Sequence, residues 1–146
     1  MPETAEHFRP YLAMAVFCEK VLQEKDGVLS AIRIIDRINV SGTDKEMRQT
    51  AINPTLVLVF KSGFFRGKLG IKVAPKTPSG KSLPELEFPA LFEGEDRGVG
   101  IIANMGVIAE EEGLYWFDVL LQDDLITRIP LRILYHRIVM GSPGSP

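Results

Sequence analysis

The stretch that most constrains the fold is residues 113–134, GLYWFDVLLQDDLITRIPLRIL. Tyr115, Phe117, Val119 and Leu121 alternate with Trp116, Asp118, Leu120 and Gln122, and a period of two belongs to a strand. Gln122-Asp123-Asp124 is the polar connection a hairpin needs before Leu131, Ile133 and Tyr135 alternate with Arg132, Leu134 and His136. A hairpin this apolar has to bury one face against a second layer. Tyr115, Phe117, Val119 and Leu121 are therefore read as the core face of a β-sandwich.

The rest of the chain has the same texture. Residues 12–24, LAMAVFCEKVLQE, fit either a strand or a short helix, and the sequence that follows decides between them. Asp26-Gly27 predicts a tight type I′ hairpin turn, and VLSAIRIIDRINV after it is β-branched and alternating. Residues 41–53 are polar. Thr43 and Glu46 have capping-box spacing, and Pro54 limits any helix there to two or three turns, with a loop equally compatible. Strands follow over residues 55–63 and 67–74, with Phe64 and Phe65 at the corner between them. LEFPALFEG is an edge strand, since Pro89 cannot donate to a ladder. Residues 98–109 form a strand kinked near Asn104-Met105-Gly106. Short strands without intervening helices predict one all-β sandwich of about seven or eight mostly antiparallel strands. The expected layout is a flexible lead-in over residues 1–10, the sandwich over 11–140 and a flexible tail over 141–146.

Composition narrows the function classes. A chain of 146 residues with 45% hydrophobic and 25% charged residues is an ordinary globular domain. A net charge of −2 speaks against a general nucleic-acid binder. The single cysteine, Cys18, excludes an intrachain disulfide and a cysteine zinc cluster. The first ten residues carry acids where a signal peptide carries positive charge, and no apolar run approaches the ~18 residues of a membrane span. A cytoplasmic protein is expected, without membrane or nucleic-acid partners.

Motifs that suggest chemistry fail on context. Gly98, Gly100 and Ala103 fit a relaxed dinucleotide fingerprint, but Asn104-Met105-Gly106 interrupts the helix it requires. Gly80-Lys81-Ser82 resembles the end of a phosphate loop, yet Pro75 stands where the first glycine belongs and Pro84 blocks the helix. Cys18 has no evident activating base and reads as a buried strand cysteine. His7 and His136 lie far apart, with no second ligand at metal spacing. Asp36 and Asp118 sit near arginines in the strand pattern and suit cross-strand ion pairs, while Asp123-Asp124 is turn chemistry. No catalytic, cofactor-binding or metal-ligating residue is expected.

The surplus of apolar residues says more. Trp116, Leu120, Ile126 and Leu134 oppose the core face of the opening hairpin, and Phe17 and Val21 oppose Met14, Val16 and Cys18. A strand with one wet face alternates more cleanly than this. Either something covers the second face (a helix, a loop, another copy or a partner) or a bulge shifts the register. Phe17, Val21, Trp116, Leu120 and Leu134 are the candidate interaction surface.

The segments CEKVLQEKDGVLSAIRIIDRI and GLYWFDVLLQDDLITRIPLRI resemble the best-marked parts of a family of small bacterial β-sandwich proteins known as a domain of unknown function. There, an acid-rich N-terminal hairpin closing on "-DRI-" precedes strands that end in a "-GLYWFDV-…-PLR-" hairpin. The resemblance covers most of residues 12–135 and implies an immunoglobulin-like or C2-like antiparallel β-sandwich, with no activity attached. The functional expectation is a non-enzymatic binding or assembly module acting through a sheet face or edge strand. Its partner would be another protein or a second copy of the chain. The alternative is a small-ligand or carbohydrate-binding sandwich that uses Trp116 or the Phe64-Phe65 corner for stacking.

Overall fold

The computed structural model describes residues 8–139, and these residues form strands and no helix. In chain order these are β1 (Tyr11–Gln23), β2 (Leu29–Ile35), β3 (Arg37–Gly42), β4 (Thr50–Ile52), β5 (Thr55–Lys61), β6 (Arg66–Lys76), β7 (Leu86–Glu93), β8 (Gly98–Asn104), β9 (Val107–Ala109), β10 (Gly113–Leu121) and β11 (Asp124–Arg137). One sheet has the order β2-β1-β5-β8, a second β3-β11-β10-β6-β7, and β4 pairs with β9 in a short ladder.

The eleven strands of the described residues exceed the expected seven or eight because two stretches divide and a third adds a short strand. The run after the first turn breaks at Asp36 into β2 and β3, which join different sheets. The kink expected near Asn104-Met105-Gly106 separates β8 from β9. The polar stretch from Ser41 contributes β4 and no helix; its bends are held by a Tyr135 hydroxyl donating to Asp44 O at 2.6 Å. Pairing is antiparallel except for β3, which runs parallel to β11. The first hairpin also turns differently from the expected type I′. Gly27 N donates to Glu24 O at 2.9 Å, and Gly27 alone takes a positive φ, +86°, so the four-residue turn ends on a left-handed glycine.

The opening hairpin pairs as its alternation predicts, Tyr115 with Leu131 and Phe117 with Ile129. Tyr115, Phe117, Val119, Leu121, Leu131 and Ile133 are fully buried. The facing sheet contributes Leu56, Leu58, Phe60, Ile101 and Ala103 to the same core. Phe17 meets Phe117 edge-on across the interface, with ring centroids 4.8 Å apart, and Phe60 meets Phe92 at 6.3 Å. These contacts make the two sheets one sandwich.

Part of the outer face of the four-stranded sheet is covered by the chain itself, although Met14 on that face stays exposed. β1 pairs with β5 only as far as Cys18, opposite Thr55, and then continues with β2 alone. Arg33, opposite Glu19 and ion-paired with it at 2.7 Å, adopts φ +58°, a left-handed backbone that kinks the β1–β2 hairpin. Beyond the kink the hairpin lies back over the sheet. Val21, Leu29 and Ala31 share a cavity of about 600 Å³ with Met14, Val57 and Val59, and Gly27 at the hairpin tip lines it together with Lys61 and Gly98. The Leu29 Cδ1 is so close to Gly100 that a Cβ there would stand 3.1 Å from it. Val57, outside the central core, is only 2% exposed.

Residues 1–7 and 140–146, holding His7, most of the expected lead-in and the expected tail, lie outside the described residues. Of the lead-in's last residues, Phe8 packs on Phe64 at 5.9 Å, Arg9 pairs with Asp124 at 2.6 Å, and Pro10 is buried.

Candidate interaction surface

Three of the five expected surface residues come together on the outer face of the five-stranded sheet. Trp116, on β10, lies between Lys76 of β6 and Pro130 of β11, and is 39% exposed. Leu120 lies four residues further along the same face, opposite Lys72, and is half-buried. At the other end Leu114 pairs with Arg132, and Leu134 follows on the same side of β11. The result is an apolar column, Leu134, Leu114, Trp116 and Leu120, flanked by Lys72, Lys76, Arg128 and Arg132. A bulge between Val119 and Leu120 shifts the register without bringing Trp116 inside. Of the two explanations offered for the surplus apolar residues, the bulge is present on this hairpin, while Trp116 stays exposed on the other face.

Asp118 sits within this column. Its side chain is 8% exposed, with Lys76 Nζ at 3.4 Å from Oδ2 and Arg128 Nε at 3.3 Å from Oδ1. The cross-strand ion pairing expected of Asp118 is therefore in place. The Arg128 contact is too poorly aligned to count as a hydrogen bond, which leaves the buried Oδ1 without one.

Phe17 and Val21 are corrections. Phe17 is 2% exposed and points into the sandwich, because pairing with Leu56 on β5 turns that face of β1 toward Phe117. Val21 lines the cavity beneath the folded-back hairpin. Neither shares a surface with Trp116. The aromatic corner is split: Phe64 is open, and Phe65 packs on Phe92 at 6.2 Å.

Cys18 is fully buried, and that burial pushes its thiol above the ordinary value, more than offsetting backbone hydrogen bonds from Lys20 and Ile32 that favour the thiolate. This is the environment of an inert strand cysteine. His136 is engaged with Asn39 Oδ1 at 3.1 Å. Among the described residues no group of three or more His, Cys, Asp or Glu side chains is placed to hold a metal ion. Nor is any helix of those residues long and apolar enough to cross a membrane.

One feature has no counterpart in the sequence reading. A cavity of about 890 Å³ opens where β2 crosses into β3, lined by residues 37–41 of β3, by β4, and by Cys18 and Glu19. The available signal was the alternation of β-branched Ile38 and Val40 about Asn39, followed by a polar connection to a second apolar segment, which can also describe two strand arms held apart.

Fold and surface together define the chain as an all-β sandwich protein with one uncovered, cation-flanked sheet face. No protein-family model matches the chain, and no curated protein matches it. Among solved structures it is similar to an immunoglobulin-like protein from Pseudomonas aeruginosa, with a TM-score of 0.43 and 10% identity over 86% of this chain and 96% of that one. It is also similar to part of a β-glucosidase from Listeria innocua in complex with glucose, with a TM-score of 0.43 and 11% identity over 88% of this chain. The chain spans 17% of that enzyme's length.

Proposed function

We propose that the chain is a non-enzymatic binding or assembly module whose contact surface is the outer face of the five-stranded sheet. The observation that carries this reading is Trp116, exposed at the centre of an apolar column on a sheet face that no hairpin of the described residues folds over, whereas the β1–β2 hairpin covers part of the other sheet. Tryptophan in such a setting is the residue type that dominates interface energies. Lys72, Lys76, Arg128 and Arg132 around it suit a protein surface that offers carboxylates about an apolar pocket. A second copy of the chain is the other partner open to such a face.

The finer fold reading belongs here as well. Tyr115, at the start of β10, donates its hydroxyl to Glu111 O at 2.6 Å, four residues upstream. That contact and the sheet order support an immunoglobulin-like sandwich, in which a tyrosine corner occupies this place. Membership in the small bacterial family that the two hairpins resemble, and a cytoplasmic setting, accompany this reading as proposals.

The test pairs light scattering with affinity capture from extracts of the source cells, using the native chain and Trp116→Ala. A dimer or captured partner that Trp116→Ala loses supports the reading. A strict monomer that captures nothing, or a partner held equally by Trp116→Ala, overturns it. The apolar cavity under the hairpin favours a second reading, small-ligand binding. A fluorescent apolar probe that binds the native chain and is expelled by Ala31→Phe would support it, and no binding would remove it.

A further inference from the structure

Strands β3 and β4 are consecutive in the chain yet do not pair: β3 is bonded to β11 and β4 to β9. Both line the larger cavity, so two strand edges border one gap. The phase of each ladder fixes which backbone groups face it. Arg132 N donates to Asp36 O and Ile138 N to Gly42 O. A parallel strand reaches a given neighbour through every second residue. Even-numbered positions of β3 therefore face β11, and the amides and carbonyls of Arg37, Asn39 and Ser41 point away from it. On the other side, Met105 N donates to Pro54 O, in phase with the pairs Ile52–Val107 and Thr50–Ala109. The backbone groups of Ala51 and Asn53 consequently point away from β9.

Natural sheets blunt their edges. β7 carries Pro89, and β2 is broken by the left-handed backbone of Arg33. β3 has neither device, and its non-glycine residues keep ordinary extended backbone. The gap also has sided walls: Val40 and Ile52 are buried, while Arg37, Asn39, Ala51 and Asn53 are exposed. Arg37 has no carboxylate partner among the described residues, whereas Arg33 beside it is paired with Glu19.

We propose that this seam accepts one extended segment of a partner polypeptide, added as a strand between β3 and β4. Main-chain hydrogen bonds to Arg37, Asn39, Ser41, Ala51 and Asn53 hold it, and alternate side chains give it specificity. Inward positions meet Val40 and Ile52 and take apolar, β-branched side chains. Outward positions are polar, with a carboxylate beside Arg37. The length of β3 sets the segment at about six residues, each rising about 3.4 Å. The inference rests on the reading of the chain as a binding module but uses the β3 edge of the five-stranded sheet, two strands away from Trp116, in place of its outer face.

The test selects binders to the folded chain from a display library of seven-residue segments and measures their affinity for variants. Enriched segments should alternate apolar and polar residues and include a carboxylate. Binding should fall at least tenfold in Asn39→Pro and in Ala51→Pro, each of which deletes an edge amide. Arg37→Glu should shift preference from acidic to lysine-bearing segments. Hydrogen exchange at Arg37, Asn39 and Ser41 should slow at least tenfold on binding. Trp116→Ala should leave all of this unchanged, so loss of the Trp116 face and loss of the seam are read separately. An empty selection, binders indifferent to both proline variants, or slow exchange at these amides before any segment is added would overturn the proposal. Self-association abolished by Asn39→Pro would overturn it in favour of a second copy of the chain.

Discussion

Arg128 and Asp118 stand directly opposite each other on β11 and β10, the guanidinium reaching from solvent to a carboxylate that the sheet surface has closed over. The pair is asymmetric. Arg128 and Lys76 are roughly half exposed, and Asp118 is buried. Removing the acid returns two cations to water, whereas removing the cations strands a charge in an apolar column. Asp118→Asn should therefore cost about 1–2 kcal/mol in urea denaturation. Lys76→Met with Arg128→Met should cost more, about 3 kcal/mol or above. The reverse order would show that solvent reaches the carboxylate.

Trp116 and Phe117 are neighbours with opposite duties. Phe117→Ala empties the contact with Phe17 and should destabilise by about 3–5 kcal/mol. Trp116→Ala removes a larger ring from an open face and should cost less than about 1 kcal/mol. Thermal or urea unfolding of the two variants checks this difference. A large loss on Trp116→Ala would mean that the indole holds the sheet together.

Burial pushes the Tyr115 phenol above its ordinary value near 10. The folded state therefore holds this proton longer than the unfolded state. Its contribution is complete below pH 10 and declines as pH rises from there through the folded pKa. Stability of the native chain should fall above pH 10, and the fall should be shallower in Tyr115→Phe. At pH 8 the same variant should lose about 1 kcal/mol with its bond to Glu111 O. Urea titrations at pH 8 and pH 10.5 read both effects, and equal slopes in the two proteins would contradict the assignment.

Gly100 gives the hairpin its seat. A valine there would meet Leu29, whose Cδ1 already stands 3.1 Å from the first added carbon. In Gly100→Val, amide exchange across residues 19–33 should quicken while Leu58, Phe117 and Leu131 keep their protection. If protection changes uniformly, the hairpin is part of the central cooperative unit.

The sequence was most legible where one period ran uninterrupted. Tyr115, Phe117, Val119 and Leu121 needed only alternation to be placed, and Asn104-Met105-Gly106 marked its own kink. Phe17 was misplaced because both faces of β1 are apolar. Pairing with β5, some forty residues later, selects the inner one. The folded-back hairpin turns on Arg33 in a left-handed backbone, a conformation that favours glycine and leaves no mark when arginine adopts it. The seam was hidden because β4 has three residues, too few to establish any period.

The parallel pairing of β3 with β11 also orders events in time. In the five-stranded sheet β10–β11 and β6–β7 join consecutive strands and β10 reaches back to β6, but the widest separation is that of β3, which waits for the last strand of the eleven. During synthesis the β1–β2 hairpin can close at once, but Ile38 and Val40 have no ladder partner until Ile133 and Tyr135 leave the ribosome. Through that interval β3 is open along both edges, and any chaperone that shields nascent strands would find its clearest target there.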